Sequence, residues 1–183
     1  YALFLGREMV YSCAWFERPD MTLDEAQRAK LDMICRRLRL TPGDRFLDLG
    51  CGWGALICHA ARNYGVTALG VTLSQQQFDF CREKISRLGL SDRVAVELCD
   101  YRTVSAGHPF DKVAQIELYE HIGAENHDRH FAFVHSLLRP RGLYLHHSVT
   151  RRLTRNPRKL LRTTGYQKFL GGFVLPGTAL DDI

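Results

Sequence analysis

The chain lacks any apolar run near the roughly 20 residues that a membrane-spanning helix requires. It has six cysteines, at positions 13, 35, 51, 58, 81 and 99, yet no C-x-x-C pair and no zinc spacing. Zinc ribbons and dithiol redox chemistry are therefore set aside. Reduced thiols in a cytoplasmic protein are expected, with most of them acting as small apolar residues and only Cys13 held apart. No lysine follows the glycine-rich turn at 50–54, which removes a phosphate cradle of the Walker type. No signal peptide, internal repeat or low-complexity tract is present. Residues 151–168 have no acid among Arg151, Arg152, Arg155, Arg158, Lys159, Arg162 and Lys168. Such a stretch is either a solvated face or a surface for anionic partners. It lacks the interleaved aromatics of a nucleic-acid track, so nucleic acid is not expected as a partner. What is present fits one soluble domain: 183 residues, 45% apolar, with a net charge of +5. The chain opens on Tyr1 and stops at Ile183, soon after Leu175-Pro176-Gly177, and reads as cut at both ends.

The strongest local signal is Phe46-Leu47-Asp48-Leu49-Gly50-Cys51-Gly52-Trp53-Gly54, an apolar strand running into three alternate glycines. Glycine accepts positive φ and lets backbone approach a ligand closely. The stretch is either a tight strand-to-helix turn or the binding loop of a nucleotide-type cofactor at the carboxyl edge of a parallel sheet. A dinucleotide fingerprint would read G-x-G-x-x-G, with an acid about 20 residues on. Here the third glycine comes one residue early, and the next strand ends in Thr72-Leu73-Ser74. Asp48 lies in the end of the first strand, and Asp100 closes the third, where a carboxylate can accept from an adenine amine. A glycine turn, polar groups after strand two and an acid after strand three suit S-adenosylmethionine (SAM), which carries no phosphate.

The pattern predicts helices over 22–39, 54–64, 74–88 and 126–138, and strands over 45–50, 67–72, 94–99, 111–117 and 143–150. Thr22 and Glu25 form a capping box, Ser74 is an N-cap, Gly89 a C-cap, and Pro140-Arg141-Gly142 a turn into strand five. Strands alternating with helices imply an α/β fold with a doubly wound, mostly parallel, Rossmann-like sheet.

In such sheets ligands bind outside the carboxyl ends of strands. Strand four ends in Glu117-Leu118-Tyr119-Glu120-His121, and strand five carries His146-His147 near its end. Neighbouring strand residues face opposite ways, so only one of the two histidines shares a given face. A Glu and a His there either orient a base or small ion, or cap a helix. His127, His130 and His135 lack a ligand pattern and are expected at the surface, so no metal is expected. The aromatic segment Met9–Phe16 reads as a lid over the cofactor or as a strap over the sheet edge.

Five ordered stretches carry a resemblance: Tyr11-Ser12-Cys13-Ala14-Trp15-Phe16, Leu47–Gly54, Gly70–Gln77, Tyr119-Glu120-His121-Ile122-Gly123 and Leu145-His146-His147-Ser148. Together they resemble the cyclopropane-fatty-acyl-phospholipid synthases and mycolic acid cyclopropane synthases, strongly over residues 1–150. The resemblance implies a class I SAM-dependent methyltransferase fold lacking its C-terminal strands. It implies a lid segment over 1–40, a SAM-binding core over 41–150 and a basic lid or acyl-pocket segment over 151–183. By the resemblance, SAM is held by Tyr11, Ser12, Gly50, Gly52, Thr72, Leu73, Gln77 and a stacked Tyr101. Asp48, Cys51, Gly54, Asp100 and Arg102 complete the expected cofactor residues. It implies a bicarbonate base at Cys13, Glu120 and His147, near Val149, and a further tyrosine beyond Ile183. The implied substrate is an unsaturated fatty acyl chain that becomes a cyclopropane, with the basic stretch resting on an anionic membrane surface. The alternatives are a non-cyclising methyltransferase acting on fatty acyl carbon and one acting on the nitrogen of a small amine.

Overall fold

The structure is a computed structural model. It describes residues 1, 3–105, 107–149 and 165–169. The expected basic stretch and acyl-pocket segment lie outside the described residues except for a short helix, Gly165–Phe169.

Five strands form one sheet: β1 (Arg45–Leu49), β2 (Thr67–Thr72), β3 (Val94–Leu98), β4 (Phe110–Ile116) and β5 (Leu138–His147). Their order is β3-β2-β1-β4-β5, and every pairing is parallel. The chain winds outward from β1 to β3, then crosses back to β4 on β1's other side. This reversal opens a crevice at the carboxyl ends of β1 and β4, where such sheets bind ligands.

Helices α1 (Leu23–Arg37), α2 (Ala55–Tyr64), α3 (Gln75–Arg87) and α4 (His127–Leu137) cover the faces. Helix α1 starts at the predicted capping box, with the Glu25 N–H donating to Thr22 Oγ1 at 3.3 Å and the Thr22 N–H to Glu25 Oε2 at 2.8 Å. Two cores flank the sheet because adjacent strand residues point to opposite faces. Phe46 packs with Leu31, Ile34, Leu38 and Leu56, whereas Leu47 and Leu49 pack with Val71, Val113, Val134 and Leu137. A central strand covered on both sides is apolar throughout, and Asp48 is the exception among its buried residues, Arg45 standing half-buried at its start. By alternation Asp48 shares the α1 and α2 face with Phe46.

Most predicted boundaries fall within one or two residues of those observed, the usual scatter at element ends. Strand five differs. The expected turn Pro140-Arg141-Gly142 lies inside β5, which begins at Leu138. The pairing with β4 shifts register between Phe110 and Lys112, and Arg141 takes a φ of 66°. A bulge thus absorbs the turn residues without ending the strand.

Candidate active site

The loop after β1 bends through left-handed backbone at Gly50 (φ 78°), Gly52 (φ 54°) and Gly54 (φ 73°). At Gly52 an added Cβ would stand 3.2 Å from the Tyr11 ring. Glycine is required there by both the turn and the close approach of the Met9–Phe16 strap. Cys51 is buried beneath the loop, with its N–H donating to Val71 O at 2.9 Å. A hydrogen bond with Cys81 and burial push the Cys51 thiol up, so it stays protonated.

Asp48 is 3% exposed, and its Oδ1 has no partner among the described residues. Burial pushes its carboxyl up to about 7, and Lys30 opposes that shift. Lys30, 5% exposed, reaches in from α1 and donates to Ser12 Oγ at 2.6 Å. Burial lowers its ammonium pKa, while Glu117 and Asp48 hold it up. Gln27 Nε2 donates to Ser12 O at 2.9 Å, so α1 moors the strap at two points. On the β2 side, Thr72 Oγ1 donates to Gln77 Oε1 at 2.7 Å, and Gln77 Nε2 to the Tyr11 hydroxyl at 3.3 Å. Ser74 caps α3, accepting from the Gln77 N–H at 3.3 Å. Tyr11, Ser12, Asp48, Gly50, Cys51 and Gly52 all line one cavity of about 60 Å³, together with Lys30 and Glu117.

A larger cavity of about 420 Å³ includes Leu73, Asp100, Tyr101, Arg102 and Leu118 in its wall. Asp100 does not face it as a lone acceptor. The Arg102 Nε donates to both its carboxylate oxygens at 3.0 Å, and the Arg102 N–H to Oδ1 at 2.9 Å. Those bonds hold the Asp100 carboxyl below its ordinary range. Tyr101 starts the short 3-10 turn Tyr101–Thr103 beside it.

Of the three residues expected as a base site, Cys13 and His147 approach a fourth, Glu117, and Glu120 contacts the Val149 backbone instead. Glu117 follows β4 with a φ of 54°, a conformation that costs a non-glycine residue about 1–3 kcal/mol. Its Oε1 accepts from the Cys13 N–H at 3.4 Å and lies 3.9 Å from His147 Nδ1. The second distance is too long for a hydrogen bond, and Nδ1 is buried without a partner among the described residues. Glu120 is 3% exposed; its Oε1 accepts from the Val149 N–H, and its Oε2 is likewise unpartnered. Pairing of Ile116 with His147 brings the ends of β4 and β5 together.

One expectation is overturned. His130, placed at the surface by its sequence context, is 3% exposed. The α4 helix turns it onto the sheet, where Gln115 and Tyr101 satisfy its ring nitrogens. Sequence reading also passed over Lys30 and Glu117. Lys30 sits among the polar residues of an amphipathic helix, and nothing in the helix pattern marks it as buried. Glu117 stood at a strand end where chemistry was sought, but its backbone geometry leaves no sequence signal.

The chain matches the family model for mycolic acid cyclopropane synthetase across residues 1–183. It belongs to that family. A probable fatty acid methyltransferase of Pseudomonas putida is 42% identical over 150 residues, 82% of this chain and 38% of the relative. The cyclopropane-fatty-acyl-phospholipid synthase of Escherichia coli K12 is 41% identical over 149 residues, 81% of this chain and 37% of the relative. The chain therefore spans well under half the length of these two curated relatives. Among solved structures, the mycolic acid cyclopropane synthase CmaA1, complexed with SAH and CTAB, superposes with a TM-score of 0.86. It is 34% identical, over 98% of this chain and 64% of CmaA1.

Proposed function

We propose that the protein transfers the methyl group of SAM to the double bond of an unsaturated fatty acyl chain and closes a cyclopropane ring. The observation that carries this reading is the pair of unpartnered buried atoms, Glu120 Oε2 and His147 Nδ1, at the β4 and β5 ends, where Glu117 lines the glycine loop's cavity. A buried polar atom left without a partner is costly, and such exceptions gather at functional sites. The names of the relatives and the SAH and CTAB bound to CmaA1 support the cofactor and the lipid substrate.

The residues present fit SAM. Gly52 lets the loop backbone approach closely under Tyr11, and the Asp48 Oδ1 is unpartnered, suited to an amino-acid ammonium. The amino-acid end is assigned to the cavity under the strap and the adenine to the one beside Tyr101. The first is small, so the strap acts as a lid that shifts to admit the cofactor. Bound SAM supplies an electrophilic methyl on a sulfonium. The alkene carbons take that methyl, the C–S bond breaks, and positive charge develops on the neighbouring chain carbon. Glu117 and Glu120 supply negative charge at the strand ends, and in a dry site fixed charge stabilises a developing cation strongly. Loss of a proton from the new methyl closes the ring. Cys13, Glu120 and His147 would hold a bicarbonate ion, which would supply the proton acceptor there. The basic stretch at 151–168 docks on anionic lipid, at about 1 kcal/mol for each charge near the surface.

A second reading, methylation without ring closure, is favoured by the Pseudomonas putida relative, named as a probable fatty acid methyltransferase. Assaying the full-length protein with SAM and unsaturated phospholipid tests both. Release of S-adenosylhomocysteine with loss of olefinic lipid is the expected result. Release that depends on a small amine and leaves the lipid unchanged would overturn the lipid assignment.

A further inference from the structure

Gln115, fully buried in β4, is the centre of a polar chain that no catalytic step above uses. Its Oε1 lies 2.7 Å from His130 Nε2 and accepts from the Tyr144 hydroxyl. The other His130 nitrogen, Nδ1, lies 3.2 Å from the Tyr101 hydroxyl. The Tyr144 oxygen in turn lies 3.2 Å from His146 Nδ1.

The proton positions follow by elimination. A carboxamide oxygen only accepts, so His130 Nε2 and the Tyr144 hydroxyl both donate to it. Burial pushes the His130 pKa down to about 4, with His146 and His127 adding to the effect, so the ring is neutral near pH 7. A neutral imidazole has one N–H, and His130 has used it on Gln115. Its Nδ1 therefore accepts, and the Tyr101 hydroxyl donates. Tyr144 has given its only proton to Gln115, so His146 Nδ1–H donates to Tyr144. In this arrangement His130 Nε2 also lies 3.3 Å from the Tyr144 oxygen, and Gln115 Nε2 has no partner among the described residues.

We infer that His130 is a positioning residue for the cofactor, holding the Tyr101 ring in the wall of the adenine cavity through a hydrogen bond to its hydroxyl. Tyr101 and His130 both line that cavity. The Tyr101 ring also meets His130 edge-on at 5.4 Å and Phe133 at 6.0 Å. With its hydroxyl bonded to His130, Tyr101 presents the cavity its ring and no free polar handle. At its far end the chain reaches His146, next in sequence to His147 and paired with Gln115 across β4 and β5. The same bonds thus tie the adenine cavity to the strand that carries the candidate base site.

The inference rests on the SAM reading, and calorimetry with S-adenosylhomocysteine on the full-length protein separates the two. His130→Phe keeps the ring volume and removes both hydrogen bonds; Tyr101→Phe removes only the hydroxyl. Each is expected to weaken binding about tenfold, the effect of one lost hydrogen bond that leaves a buried partner unsatisfied. The double variant is expected to be no weaker than either single one, because both break the same link. His130→Asn places an acceptor oxygen near the Nδ1 position and is expected to recover most of the affinity. Lower thermal stability in His130→Phe with unchanged affinity would make His130 merely structural and overturn the inference. Additive losses in the double variant would do the same. If His130→Phe fails to fold, Tyr101→Phe and His130→Asn still decide the matter. Wild-type protein that does not bind S-adenosylhomocysteine would refute the SAM reading itself, and the inference with it.

Discussion

Asp48→Asn sets stability against cofactor binding, and the two move in opposite directions. Burial raises the Asp48 carboxyl from 3.8 to about 7 in the folded protein. The folded state therefore holds this proton more tightly than the unfolded chain does. Below pH 3.8 both states are protonated and burial carries no ionisation penalty. As pH rises toward 7, the unfolded chain ionises and the folded one does not, so stability is lost. Above 7 the whole penalty is present. Roughly three pH units at about 1.4 kcal/mol each come to ~4 kcal/mol. An asparagine removes that penalty but buries an amide with its own unmet bonds, at about 1–3 kcal/mol independent of pH. The pH dependence is thus the cleaner quantity. The stability of Asp48→Asn relative to wild type should fall by about 2–3 kcal/mol between pH 8 and pH 5, since wild type regains stability as Asp48 takes up its proton. At about 2–4 °C for each kcal/mol in a domain of this size, the relative melting temperature shifts by about 5–10 °C. Thermal unfolding followed by circular dichroism across that pH range measures it. A difference between the two proteins that stays constant from pH 5 to pH 8 would refute the reasoning. The same substitution should weaken S-adenosylhomocysteine binding at pH 8.

The glycine loop and the strand beneath it offer two sharper perturbations. Gly52→Ala puts a Cβ 3.2 Å from the Tyr11 ring at a φ of 54°; it should destabilise by about 1–2 kcal/mol and lower cofactor affinity, as read by melting temperature and calorimetry. Gly70→Ala would bring a Cβ to 2.7 Å from Cys51 Cβ and 2.8 Å from Ile57 Cδ1, under the loop. Urea unfolding should show a loss of about 1–3 kcal/mol from overpacking. Glu120→Gln should depress turnover far more than cofactor affinity; equal losses in the two would count against a role for Glu120 in the proton-transfer step.

The fold was legible because β1 announces itself: a largely apolar strand leading into alternating glycines allows few alternatives. The capping box at Thr22 and Glu25 stands where the sequence placed it, since both partners are local. Strand five was misplaced because Pro140 and Gly142 signal a turn, and the sequence alone does not show that β5 carries them as a bulge against β4. The site was legible in part. Motif residues such as Tyr11, Gly52 and Gln77 lie together, and Cys13 and His147 approach a common carboxylate. That carboxylate is Glu117, whose position depends on a left-handed backbone turn. Lys30 and His130 were hidden for a shared reason: helical position says which way a residue points only once the packing of the helix is known.

The account turns on one event, transfer of a methyl to an alkene followed by loss of one of its hydrogens. Incubating the full-length protein with unsaturated phospholipid and SAM deuterated in its methyl group reads that event by mass spectrometry and NMR. A cyclopropane that has lost one deuteron for each methyl transferred is the predicted product. An unchanged lipid, or a methyl branch that keeps every deuteron, would contradict it.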